Sequence, residues 1–133
     1  MNPEVVLITG CSSGIGRATA TTLATAGYEV VATARRPEEL DGIGAVMALP
    51  LDVTDERSIE TAVRAVLERY RRIDVLINNA GQPPGWPRCT AGSLTRLITR
   101  SGWRRRCTRG RLATFDVPSR PSCRLIVRRC TWS

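Results

Sequence analysis

The chain has 133 residues, enough for one modest domain and too few for two. Its net charge of +8 comes from arginine alone, since the sequence contains neither lysine nor histidine. It has no run of about 18 apolar residues, which excludes a spanning helix, and no signal-peptide pattern, so a cytoplasmic protein is the default expectation.

The charge is unevenly placed. Residues 1–81 carry 8 arginines and 11 acids, net −3, whereas residues 82–133 carry 12 arginines and one acid, Asp116, net +11. All three tryptophans, four of the five cysteines and five of the eight prolines also lie beyond residue 81. The composition therefore divides the chain into a segment 1–81 and an arginine-rich tail 82–133. In the tail, Cys89, Cys107, Cys123 and Cys130 are spaced too widely for a C-x-x-C pair, and no metal site is expected.

In chain order, "EVVLITG" is a β-branched run ending in glycine and reads as a buried strand of a parallel sheet. "IGRATATTLATAGY" reads as a helix with a slim face, closing at Gly27. "EVVATA" is a second strand, "PEELDGIG" holds at most a short helical turn, and "AVMALPLD" is a third strand with Pro50 near its end. From Thr54 or Asp55, suitable N-caps, Ile59, Ala62, Val63, Val66, Leu67 and Tyr70 recur at spacings of three and four, predicting an amphipathic helix. "DVLINNAG" is a fourth strand and its terminal turn. Strands alternating with helices predict an α/β fold, a partial Rossmann-type doubly wound parallel sheet of about four strands with right-handed crossovers, followed by a largely irregular basic tail.

The stretch "TGCSSGIG", Thr9 to Gly16, lies between the first strand and the first helix. A glycine-rich turn there supplies a tight bend, close backbone N–H groups and a positive helix end, all of which suit a pyrophosphate. Gly10, Gly14 and Gly16 take those places, and Ser12 and Ser13 add hydroxyls. The spacing is G-x-x-x-G-x-G, and a glycine triplet alone also fits a plain connector.

Three further stretches accompany it: "ATARR" at the end of the second strand, "LDVTD" at Leu51 to Asp55, and "NNAG" at Asn78 to Gly81. In order and separation the four resemble the short-chain dehydrogenase/reductase family, over residues 1–81 only. The resemblance implies that Gly10, Ser12, Ser13, Gly14, Ile15 and Gly16 surround a cofactor pyrophosphate. It places Asp52 and Val53 beside the adenine, and Asn79, Ala80 and Gly81 near the nicotinamide-side ribose. Asp52 also fits a strand-end cap, and "NNAG" has a structural role, with Asn78 tying the fourth strand to its neighbours. An acid at the end of the second strand would bind a ribose diol; here Ala34 is followed by Arg35 and Arg36, which favours NADP over NAD. Both arginines also fit a merely solvated strand end.

The family's reaction is hydride transfer between the nicotinamide and a carbonyl or alcohol carbon, using a serine and a Tyr-x-x-x-Lys pair on one helix face. The only tyrosines are Tyr28 and Tyr70, no lysine occurs, and no asparagine follows Asn79. No catalytic residue is therefore assigned, and the chain by itself is expected to be an inactive oxidoreductase relative. Without a fifth strand, "VLIN" would present an apolar sheet edge. The family's later helices, which usually form its dimer interface, are not matched, so no oligomer is assigned.

The tail has nine Leu, Ile, Val and Phe among 52 residues, a composition typical of disordered chains. Its apolar islands, "SLTRLIT" and "RLIVRRC", fit a helical turn or an edge strand. "WRRRCTRGR" combines arginines with Trp103, which gives an alternative reading as a polyanion or nucleic-acid binder, although arginine runs attract polyanions without specificity and no specific nucleic acid is expected. The leading expectation is a truncated or frameshifted family member, because gain of Arg, Pro, Trp, Cys and Ser with loss of acids is what a GC-rich gene read out of frame encodes. The substrate is not legible.

Overall fold

A computed structural model describes residues 2–81 and two further segments, 113–116 and 124–129. The first segment alternates as expected: β1 (Val5–Ile8), α1 (Gly14–Thr25), β2 (Glu29–Ala34), a 3-10 turn (Pro37–Leu40), β3 (Met47–Pro50), α2 (Glu56–Tyr70) and β4 (Val75–Asn78). β1 pairs in parallel with both β2 and β4, and β2 pairs in parallel with β3. β1 is thus the central strand, and all four of its residues are buried.

The two-residue period of the strands divides the core between the two faces of the sheet. Val5 and Leu7 join Val31 and Leu76 against Ile59, Val63 and Val66 of α2. Val6 and Ile8 join Val30, Ala32 and Ile77 against Ala20 of α1 on the opposite face. Helices on both faces explain why β1 is apolar throughout instead of alternating. Each fully buried Val, Leu or Ile contributes about 1.5–3 kcal/mol, so this strand is the main hydrophobic anchor of the sheet.

α1 buries only Gly16 and Ala20, which lets it lie close on the sheet. Its threonines are accommodated by back-bonding: Thr21, Thr22 and Thr25 donate to the carbonyls of Arg17, Ala18 and Thr21 at 3.0, 2.8 and 2.9 Å. The helix closes on Gly27 at φ +91°, with Tyr28 N donating to Leu23 O and Gly27 N to Ala24 O, both at 3.1 Å. That pair of bonds is a Schellman motif, and its left-handed residue is the reason for glycine here. α2 starts at Asp55, whose carboxylate accepts from Arg57 N at 3.0 Å, and it buries Ile59, Ala62, Val63 and Val66.

β3 forms one edge, where Pro50 can end the strand without removing an interior ladder bond; the next residue, Leu51, donates to Ala34 O at 2.8 Å. At the other side the expectation of an uncovered β4 does not hold. β6 (Arg124–Arg129) pairs antiparallel with β4, and β5 (Ala113–Asp116) pairs antiparallel with β6. The sheet order is β3-β2-β1-β4-β6-β5. The island "RLIVRR" is thus a strand, one of the two forms it fits in sequence, because its backbone satisfies the donors and acceptors that β4 would otherwise leave open. β5 was not foreseen. "SLTRLIT" and "WRRRCTRGR" lie outside the described residues. Among the described residues no helix is long and apolar enough to cross a membrane.

Candidate functional site

Because the four parallel strands point the same way, their carboxyl ends share one rim of the sheet. The candidate cofactor residues follow the strands at that rim: residues 10–13 in the loop after β1 and residues 14–16 in the first turn of α1, Arg35 after β2, Asp52 and Val53 after β3, and residues 79–81 after β4. The chain runs from β1 outward through β2 and β3 and then returns to place β4 on the other side of β1. A crevice at such a switch point is where open α/β sheets bind their ligands.

The β1 and β4 loops are locked together across this point. Thr9 is buried, and its hydroxyl oxygen accepts from Asn79 N and Ala80 N, both at 3.1 Å. The Asn79 side-chain amide donates back to Thr9 O at 3.2 Å and Gly10 O at 3.0 Å. Asn78 ties β4 to its neighbour β6 in the ladder, paired with Ile126, whereas the tie to the β1 loop is made by Asn79. The reason is register: Asn78 is the last ladder residue, and only the next position reaches the glycine turn.

Close approach dictates the glycines. Gly10 has φ +72°, and a Cβ there would come within 2.7 Å of Ala80 Cα. A Cβ on Gly16 would run into Asn79 Nδ2 and Gly10 O. Gly14, at φ +60°, faces open space. Ser13 occupies the N-cap of α1 and makes no side-chain capping bond, and no acid lies in the first helical turn. The helix therefore offers uncapped N–H groups beside an exposed serine. Ser12 is half-buried, and Ile15 is 48% exposed over the same turn. Cys11, between Gly10 and Ser12, is a buried packing residue: its thiol donates to Ile8 O at 3.5 Å, and burial pushes its pKa up, which disfavours the reactive thiolate.

At the β2 and β3 ends, Arg35 and Arg36 are exposed. Arg36 is taken up by Glu39 at 2.5 Å, whereas Arg35 makes no ion pair among the described residues. Asp52 Oδ1 accepts from Thr54 Oγ1 at 2.6 Å and Thr54 N at 2.9 Å, the strand-end cap that its sequence position permits. These bonds hold its pKa below the usual carboxylate range, partly opposed by burial, and the charge of Arg35 acts in the same lowering direction. Asp52 and Arg35 are thus electrostatic neighbours. Val53 packs against the α2-side core, and Gly81 is exposed at the end of the β4 loop.

Two residues escaped the sequence reading. Thr9 stood inside the glycine stretch, and a threonine closing a buried apolar run is a usable signal. Arg17 is a cation in the first turn of α1, against the helix dipole, and its guanidinium donates to Glu39 O at 2.7 Å and Asp41 O at 2.6 Å.

The rim matches known proteins. A family model described as short chain dehydrogenase matches residues 4–105, so the likeness continues past Gly81, where the sequence motifs stopped. A 3-ketodihydrosphingosine reductase of Bacteroides thetaiotaomicron is 46% identical over 85 residues, covering 64% of this chain and 31% of that protein. A serine 3-dehydrogenase of Agrobacterium fabrum is 41% identical over 81 residues, covering 57% of this chain and 32% of that protein. Among solved structures, a short-chain dehydrogenase from Streptomyces avermitilis superposes with a TM-score of 0.66 at 37% identity, over 75% of this chain and 45% of that one. A metagenomic short-chain oxidoreductase in complex with NADP gives 0.56 at 36% identity, over 59% of this chain and 39% of that one. The chain spans about a third of the length of these curated relatives. With the family model covering most of its residues and the same fold behind the match, the chain belongs to the short chain dehydrogenase family.

Proposed function

We propose that residues 2–81 form a cradle for a nicotinamide dinucleotide, with NADP preferred over NAD, and that the 133-residue chain does not itself catalyse the family's hydride transfer. The observation that carries this reading is the meeting of Gly10 and Ala80 at the switch point, beside an α1 N-terminus that no side chain caps. The open space over Gly14 and the absence of an acid in the first turn fit an anionic pyrophosphate there.

In this reading the backbone of residues 12–16 and the Ser12 and Ser13 hydroxyls hold the pyrophosphate. Asp52 and Val53 border the adenine, and residues 79–81 border the ribose on the nicotinamide side. When bound, the nicotinamide would supply or accept a hydride. Arg35 supports the NADP preference: it stands exposed where an acid would favour a ribose diol, and its guanidinium makes no ion pair among the described residues. The absence of lysine, and the placement of Tyr70 in α2 and Tyr28 before β2, both remote from the rim, support the lack of hydride-transfer activity.

Calorimetric titration of the full chain with NADP and NAD tests the proposal. Saturable NADP binding, weakened about tenfold by Arg35→Ala with NAD binding little changed, is the expected outcome. Absence of binding at millimolar cofactor refutes the cradle, and turnover of a carbonyl panel above background refutes the inactivity.

A further inference from the structure

Arg17 connects two neighbouring segments of the rim, those after β1 and β2. It sits one residue beyond Gly16 in α1, the helix that begins at the glycine turn, yet its guanidinium reaches the segment after β2. One terminal nitrogen donates to Glu39 O at 2.7 Å and the other to Asp41 O at 2.6 Å. The segment it grips is the 3-10 turn Pro37–Leu40, which follows directly on Arg35 and Arg36.

The same residue, Glu39, is held at a second point, since its carboxylate pairs with Arg36 at 2.5 Å. Arg17 therefore fixes the backbone of the residue that fixes Arg36, and the short chain between them begins at Arg35. Gly42, at φ +76°, lies just beyond Asp41 with Arg17 near it, so the turn closes around the guanidinium. A cation in the first turn of a helix opposes the helix dipole, and its presence there calls for a compensating use. Direct service to a pyrophosphate is not that use, because both terminal nitrogens already face carbonyls.

We propose that Arg17 is a positioning residue for cofactor selection: by clamping residues 39–41 it holds the Arg35–Arg36 pair where a 2′-phosphate on the cofactor ribose is read. This rests on the NADP reading given above. A fork with two separate nitrogens in fixed geometry suits the task, and a lysine places all its donors on one nitrogen, so it cannot span the two carbonyls in the same way.

The test compares the full chain with its Arg17→Gln variant, titrating each with NADP and with NAD. The expected result is a loss of about tenfold in NADP affinity with less than about twofold for NAD, so that the ratio of the two falls by about fivefold or more. Equal losses for both cofactors, or no loss for either, overturn the proposal, because a merely structural residue would not move the ratio. Should Arg17→Gln lose its cooperative thermal transition, Arg17→Lys decides in its place: a reduced ratio supports the clamp and an unchanged ratio overturns it. If the unaltered chain binds NADP no more tightly than NAD, the cofactor preference itself fails and the proposal falls with it. A ratio that stays unchanged in the variant that decides rejects only the role of Arg17.

Discussion

Thr9 and Asn79 are joined twice across the switch point, by Asn79 N on the Thr9 hydroxyl at 3.1 Å and by the Asn79 amide on Thr9 O at 3.2 Å. The hydroxyl serves a second donor as well, Ala80 N. Thr9→Val keeps the side chain's shape but leaves both N–H groups without their acceptor. The expected loss is about 2 kcal/mol, since the two donors are only half-buried and regain part of their hydration. Thr9→Ser keeps the oxygen and recovers most of the stability, and thermal unfolding of the two variants measures the difference.

The three glycines of the turn should differ in their tolerance of alanine. Gly16→Ala forces a Cβ into Asn79 Nδ2 and Gly10 O, breaking the lock between β1 and β4, and Gly10→Ala meets the backbone of Ala80 at an unfavourable φ. Each is expected to destabilise by several kcal/mol, on the order of an overpacked core site with backbone strain added. Gly14→Ala meets no atom within 4 Å and carries only the left-handed penalty of about 1–2 kcal/mol. Denaturant unfolding of the three variants gives the order; a Gly14→Ala chain as unstable as Gly16→Ala would show that space is not what selects glycine here.

Much of this architecture is legible in local sequence. "EVVATA" coincides with β2 because a β-branched run is bounded by Gly27 and the arginine pair, and α2 follows from apolar residues at spacings of three and four behind an Asp55 cap. Gly27 is legible as a helix end since few other residues accept its φ. What local pattern does not carry is pairing over long separations. Nothing in "NNAG" says which asparagine turns toward Thr9, 70 positions away, until the end of β4 is in register with β1. The grip of Arg17 on residues 39 and 41 and the antiparallel addition of β6 to β4 are likewise set by the assembled sheet. The glycine turn was the opposite case: its backbone demands are local, so its residue types announce it.

Asp74 secures the other end of the central strand. It is buried, its Oδ2 accepts from Val5 N at 2.7 Å and pairs with Arg72 Nε at 3.1 Å, and its own N–H donates to Val5 O at 2.9 Å. Asp74→Ala leaves the buried Val5 N–H without its side-chain acceptor and removes the carboxylate paired with Arg72, which keeps its bond to Pro3 O, with an expected loss of about 3 kcal/mol. Asp74→Asn retains a carbonyl oxygen for Val5 N and should lose roughly half as much. Hydrogen exchange at the Val5 amide checks the mechanism, because its protection should fall further in the alanine variant than the global stability change requires.

Asp52 gives the acid dependence. Thr54, through its hydroxyl and its N–H, is the main cause of the lowered Asp52 pKa, with burial opposing it and Arg35 adding to it. A carboxyl whose folded pKa lies below its unfolded value of about 3.9 stabilises the fold fully above that value, and the contribution is lost as pH falls through the folded pKa. The window is therefore entirely acidic, and stability near neutral pH should not change with pH on account of this group. Thr54→Val removes the shorter of the two bonds, at 2.6 Å, and leaves the backbone donor in place. Its expected effect is to raise the Asp52 pKa toward the ordinary value and to move the onset of this acid loss to higher pH. Arg35→Ala should raise the pKa by less, since its influence is the smallest of the three lowering causes. Carboxyl-carbon NMR titration of Asp52 in the three chains measures both steps directly. Should Arg35→Ala shift the titration more than Thr54→Val, the guanidinium rather than the Asx-type turn governs Asp52, and the adenine end of the rim would then be organised by charge more than by the capped loop.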